Sequence, residues 1–273
     1  MKAIDWRLRP PFGSFEGAAI FDLSSNFDTM PASAKAFSME MLIQEMDEAE
    51  VVKAVVPLRQ ESDNDDIGRI QAAYPGRFEG LAHIDPFDGP KALEEIDKYV
   101  TNGPAKGIIL EPGQIFLQRS LNPNDPLLYP IYEKCQRENI LVTLVFGGLF
   151  GRGLEYYNPA DLDKVARDFP DMNLVLTHGG WPYTTETCWI AYHRPKVTLS
   201  PDYWMMSMNP GHEDYAVAVN NYLKNQMVFG SVYPASGLKW AIEDLRRIGV
   251  KEEVMPNLLY NNAAKLLKLD EEE

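Results

Sequence analysis

Cysteine is nearly absent: Cys135 and Cys188 are the only two in 273 residues, and no CxxC or zinc-type spacing surrounds them. A disulfide framework is therefore not expected, and both thiols read as reduced packing residues of a cytosolic protein. Long hydrophobic runs are missing as well. The longest, around residues 140–150, falls short of the ~20 residues that span a bilayer. The opening Met1-Lys2-Ala3-Ile4-Asp5-Trp6-Arg7 lacks the apolar stretch of a signal peptide. No membrane partner is expected. Positive charge is in deficit, with 26 Lys and Arg against 40 Asp and Glu and a formal net charge of −14. That balance disfavours nucleic acid, whose binding depends on clustered cations. An anionic ligand would need a local basic patch.

What is present is alternation. Short β-branched runs at 3–9, 52–58, 78–84, 106–110, 140–146, 173–177, 196–200 and 226–230 interleave with helical patterns. Those helices are expected at 38–50, 65–74, 91–100, 130–138, 160–169, 184–193, 212–224, 238–248 and 254–267. A loop rich in Phe, Gly and Ser follows the first run, and the glutamates at 271–273 read as a frayed tail. Eight βα alternations without a linker predict one domain over 1–273, an α/β (β/α)8 TIM barrel, which leaves no sheet edge exposed. The length is near the ~250 residues usual for that fold. An open doubly wound sheet would need a switch point, and no Gly-x-Gly-x-x-Gly loop marks one.

In such a barrel, polar residues at the C-terminal strand ends read as chemistry. Strand one ends in Arg7-Leu8-Arg9, and alternation puts both guanidiniums on one side. Two cations in a barrel mouth are costly unless an anion joins them. They either hold a carboxylate or phosphate, for which Arg is well shaped, or pair internally with Glu111 or Asp5. Glu111 follows the apolar run Ile108-Ile109-Leu110, so it is expected as a counter-ion, a general base or a metal ligand. His178 ends strand six and precedes Gly179-Gly180, which would let a substrate approach closely. Asp202 follows strand seven and is placed to orient the His178 imidazole. His212 has an N-cap-like setting after Gly211, His83 sits near the end of strand three, and His193 at a helix C-terminus reads as structural. Trp6, Phe146, Trp181, Tyr203, Trp204 and Tyr233 lie near these ends. They suit either a flat, partly apolar ligand or plain core packing.

Four segments in order resemble the amidohydrolase-related branch of the amidohydrolase superfamily. They are Ile4-Asp5-Trp6-Arg7-Leu8-Arg9-Pro10, Leu176-Thr177-His178-Gly179-Gly180, Phe229-Gly230-Ser231-Val232-Tyr233-Pro234 and Asn261-Asn262-Ala263-Ala264-Lys265-Leu266-Leu267. That branch contains metal-dependent hydrolases, aromatic-acid decarboxylases and a pyrone dicarboxylate lactonase. The departures fall on the family's metal ligands. Its strand-one HxH is here Arg7-Leu8-Arg9, its strand-five His is replaced by Phe146, and its strand-eight Asp by Val232, so only His178 survives. Two arginines, a Phe and a Val supply no donor for a metal.

The resemblance to the lactonase branch, which works without metal while arginines hold carboxylates, implies a hydrolase or carboxy-lyase. Its substrate would be a small carboxylated cyclic or aromatic compound. Arg7 and Arg9 would anchor it beside Trp181, Tyr203 and Tyr233, with His178 and Glu111 as proton-transfer candidates and Asp202 as orienter. No cofactor is required on this reading. If a metal is held at all, Glu111, His178, Asp202 and His212 form a relocated set suited to one divalent ion such as Zn. The reading from another class is a non-catalytic barrel that binds a small anion. A homo-oligomer is left open.

Overall fold

The β-branched runs settle into strands because every one can be buried on both faces, and parallel pairing through helical crossovers does this. The computed structural model describes residues 1–115 and 118–269; the glutamates at 271–273, expected to fray, lie outside them. The strands are β1 (Ala3–Asp5), β2 (Val51–Pro57), β3 (Phe78–His83), β4 (Gly107–Leu110), β5 (Leu141–Val145), β6 (Leu174–Thr177) and β7 (Val197–Ser200). They form one parallel sheet in sequence order, β1 to β7. The helices are α1 (Ala19–Ser24), α2 (Ala32–Lys35), α3 (Met39–Glu48), α4 (Asp66–Ala73), α5 (Pro90–Ile96), α6 (Tyr129–Arg137), α7 (Pro159–Asp168), α8 (Thr184–His193), α9 (His212–Asn221), α10 (Leu238–Arg247) and α11 (Asn262–Leu267). The long first loop thus contains two short helices, α1 and α2, that the sequence reading left unassigned.

Local chemistry fixes several boundaries. Ser38 accepts a hydrogen bond from Met41 N and starts α3, and Asn158 with Pro159 behind it starts α7. α10 buries Leu238, Ala241, Ile242 and Leu245, the i, i+3, i+4, i+7 stripe of a helix laid on a core. Alternating strand residues separate two apolar layers. Ile4, Trp6, Val55, Leu81, Ile109, Val145, Val175 and Val228 fill the inside of the curl together with Ala263, Ala264 and Leu267, so α11 closes the N-terminal end of the strands. Ala54, Val56, Ala82, Ile108, Leu110 and Leu144 face the helices. Cys135 and Cys188 are free and buried on α6 and α8, and burial pushes both thiols up to about 12.

The expected eighth strand, 226–230, is not a ladder strand. Its amide at Phe229 is spent on Leu258 O, at 2.9 Å, instead of on a neighbouring strand. Isolated bonds still tie it to both flanks. Leu199 N donates to Gln226 O at 2.8 Å and Val228 N to Leu199 O at 2.9 Å, while Trp6 N donates to Phe229 O at 2.8 Å. The curl therefore passes from β7 back to β1 through a segment held by single bridges.

Candidate active site

The C-terminal strand ends converge on one cavity of about 250 Å3 lined by Arg7, Arg9, Arg59, His178, Tyr203 and Trp204, among others. A bend at Trp6–Arg7 follows β1. Beyond it Leu8 packs outward into the helical core while Arg7 and Arg9 both line the cavity, as alternation predicts. Arg7 N donates to Asp5 Oδ1 at 2.9 Å; the same carboxylate takes Ser231 N at 3.0 Å and the Ser231 hydroxyl. This buried Asp5 therefore sets the backbone from which Arg7 projects, and its pKa is raised by burial.

Asp202, Arg7 and His178 close a triangle. Asp202 accepts from His178 Nδ1 at 3.0 Å, from His178 N at 2.9 Å and from Tyr203 N at 2.7 Å, and it lies 3.8 Å from Arg7 Nε. Arg7 Nη2 donates to His178 Nε2 at 3.2 Å. A guanidinium has no acceptor, so Nε2 carries the lone pair and Nδ1 the proton. Burial pushes His178 below its ordinary pKa, with Asp202 opposing and Arg7 adding to the effect. The imidazole is thus held neutral with one tautomer selected.

His178, Asp202 and Val232 have φ of 66°, 49° and 58°, in the left-handed region that side chains seldom adopt, least of all a β-branched one. Three strained residues at consecutive strand ends around one cavity mark a place where geometry is held at a cost. Space is also reserved there. A Cβ on Gly148 would come within 2.7 Å of the His178 ring. Gly179 and Gly180 behave differently from expectation: a Cβ there would strike Pro201 and Tyr215, or Thr187, so they serve packing behind the site and not substrate approach.

The arginines differ in their partners. Burial lowers the pKa of Arg7, against the opposing carboxylates of Asp202 and Glu111. Arg9, 3% exposed, makes no ion pair among the described residues, and its Nε and Nη1 have no hydrogen-bond partner. Burial, then the charges of Arg7 and Arg59, push its pKa well down. Glu111 does not balance this pair at close range. It lies 3.5 Å from Arg59 Nε and 3.9 Å from His83 Nε2, and lines an adjoining cavity that shares Arg59, Ile20, Leu23 and Phe150 with the first. Arg59 follows the buried run of β2 just as Glu111 follows that of β4. The same strand-end rule marks it, yet sequence reading passed over it.

Other expected residues stand elsewhere. Tyr203 lines the cavity and so does Trp204. Trp181 stacks on Trp204 with ring centroids 3.7 Å apart and donates to Pro210 O, outside the cavity lining. Tyr233 is fully buried and bonds Ser33 Oγ at 2.9 Å. Phe146 packs edge-on against Tyr157, and Trp6 fills the barrel interior. His212 Nδ1 is bonded to Asn209 O at 2.7 Å, and His193 to Trp189 O at 2.9 Å. The relocated metal set is therefore not assembled. Asp202 meets His178, but Glu111 belongs to Arg59 and His212 to its own helix start. Among the described residues no three His, Cys, Asp or Glu side chains group to hold a metal ion.

Comparison with known proteins places the architecture. An uncharacterized TIM-barrel protein from Bordetella bronchiseptica is 32% identical, with a TM-score of 0.90 over 98% of this chain and 99% of that one. The 5-carboxyvanillate decarboxylase of Sphingomonas paucimobilis is 16% identical, with a TM-score of 0.72 over 98% and 99%. A Pseudomonas putida protein assigned as a 2-pyrone-4,6-dicarboxylic acid hydrolase is also 16% identical, with a TM-score of 0.67 over 98% of each chain. At such identities the last two show a shared fold. No curated protein matches the sequence. No helix among the described residues is long and apolar enough to cross a membrane. The amidohydrolase profile matches residues 4–269, nearly the whole sequence, and the chain belongs to the amidohydrolase family.

Proposed function

We propose that the protein is a hydrolase or carboxy-lyase of a small carboxylated cyclic or aromatic compound, working without a metal at the family's usual position. The residues at that position do not suit one. Where the resemblance places an HxH there are Arg7 and Arg9, and Phe146 and Val232 replace the other donors. Two guanidiniums would repel a dication, and His178 with Asp202 makes only a pair. The observation that carries the reading is Arg9, a buried guanidinium in the cavity that also holds His178, with no counter-ion among the described residues. A buried charge without a partner is costly, and a substrate carboxylate supplies one.

On this reading Arg9, with Arg7 beside it, fixes the substrate carboxylate, and Asp202 fixes the His178 imidazole. The neutral ring with its lone pair on Nε2 suits a general base. In hydrolysis a water gives its proton to Nε2 as its oxygen bonds to the ester or lactone carbonyl. The ring C–O bond then breaks, and the proton passes to the departing alkoxide. Arg7, which donates to Nε2 at rest, must release it for that step. Decarboxylation needs a proton delivered to carbon, and an imidazole held neutral is a poor donor; hydrolysis is therefore the favoured branch. Glu111 acts as counter-ion of Arg59. The test is elemental analysis of the purified protein, then a turnover screen of cyclic and aromatic carboxylates and lactones in the presence of a chelator. Turnover by metal-free protein supports the reading. Turnover that requires stoichiometric zinc overturns it, and saturable binding without turnover makes the protein a small-anion-binding barrel.

A further inference from the structure

Three guanidiniums line the His178 cavity, and two of them are already answered from within. Arg7 has Asp202 at 3.8 Å, although its Nε and Nη1, like those of Arg9, make no hydrogen bond, and Arg59 has Glu111 at 3.5 Å. Arg9 has no counter-ion among the described residues, and Asp5 is committed to Arg7 N and Ser231. The site therefore lacks one negative charge. Apart from His178, Asn26 and Tyr203 its remaining walls are apolar, Ile20, Leu23, Phe27 and Phe150 among them, and none of them supplies a further positive charge. At about 250 Å3 the cavity is smaller than the ~300–1,000 Å3 of typical ligand pockets, which suits a single ring.

Resting on the carboxylate reading above, we propose that this site takes a monoanion: one carboxylate on Arg9 and an uncharged, largely apolar single-ring body. A dicarboxylate is disfavoured by the same count, because its second group would lie against these walls without a counter-charge. This separates the chain from the dicarboxylate chemistry named for the Pseudomonas putida neighbour. Specificity would then come from a charge that the pocket does not supply, as well as from the contacts it makes.

Calorimetric titration of the intact protein tests this with benzoate, its neutral amide benzamide, and the dicarboxylate isophthalate. Cyclohexanecarboxylate and acetate serve as probes with other bodies. The monocarboxylates that bind should exceed isophthalate and benzamide by roughly tenfold or more, and Arg9→Met should weaken them roughly ten- to a hundredfold. Circular dichroism of Arg9→Met confirms that it folds, and Arg9→Lys provides a second variant that keeps the charge. If isophthalate binds as well as benzoate, with Arg59→Met lowering its affinity, Arg59 is a second anchor. The single-charge inference then falls while the carboxylate reading stands. If benzamide matches benzoate, or no carboxylate probe gives saturable binding, the carboxylate reading itself falls.

Discussion

Arg9→Met should make the protein more stable while depriving it of its ligand. The side chain is 3% exposed, its Nε and Nη1 are unbonded, and no carboxylate pairs with it among the described residues. A buried polar group left unsatisfied costs ~1–3 kcal/mol, and replacing buried ionic groups by apolar ones of similar volume stabilises by ~1–4 kcal/mol. Methionine is flexible and fills irregular gaps with little strain. A gain of about 1–3 kcal/mol is expected, or a rise in Tm of roughly 2–10 °C for a chain of this size. Urea unfolding and thermal scans should be run in buffer free of carboxylate, phosphate and sulfate, because any anion on Arg9 stabilises the parent by mass action. Arg7→Met is the control. It removes the guanidinium 3.8 Å from Asp202 and the hydrogen bond to His178 Nε2, so it should destabilise, by about 1–3 kcal/mol for the lost charged hydrogen bond. If Arg9→Met instead loses more than about 1 kcal/mol, an ordinary destabilising change, Arg9 is an internal partner and the anion site does not exist.

Three further outcomes follow from the same geometry. Once a substrate is in hand, His178→Gln should lower kcat by roughly 10²–10⁴-fold with little change in KM, whereas near-parental turnover would remove His178 from the chemistry. Ser231→Ala should cost about 1–3 kcal/mol in urea unfolding, because it strips the hydroxyl from the fully buried Asp5 carboxylate. Burial lowers the pKa of both His83 and His178 from 6.5, so below that value the unfolded chain takes up protons that the native one refuses. Their contribution to stability is therefore complete above about pH 6.5 and is lost as pH falls from there towards the depressed native values. The raised carboxyl of Asp5 works in the opposite sense, so the measurement is the flattening of the pH dependence in His83→Gln and His178→Gln.

Seven of the eight strands were legible in the sequence to within a few residues, because a strand buried on both faces declares itself as an apolar β-branched run. The eighth was not, since the residue that takes its amide, Leu258, belongs to the π-helical segment Asn257–Asn261 some thirty positions on. The strand-end rule found Arg7, Arg9, His178 and Asp202, and the structure brings those four to one place. It located Glu111 and marks Arg59 equally well, but that the two pair was not legible, because pairing between two strand ends leaves no mark in spacing. The aromatic expectation failed at Tyr233. It follows Val232, whose left-handed backbone nothing about a valine advertises.

The segment that joins β7 to β1 has a mechanical consequence. Elsewhere neighbouring strands share a continuous row of amide bonds, but here the row thins to isolated links, with the Asp5 carboxylate bridging β1 to Ser231. A side chain thus fastens the one place where the ladder does not. Cooperative units open first where backbone bonding is sparse, so Trp6 and Val228 should exchange their amide hydrogens faster than the β3–β4 amides buried equally deep. Arg7 and Val232 flank that seam. Beyond them the Leu8–Tyr233 bridge and the bond from Arg9 N to Tyr233 O at 3.1 Å close the seam again, so loosening it should be felt at the cavity wall that carries Arg9.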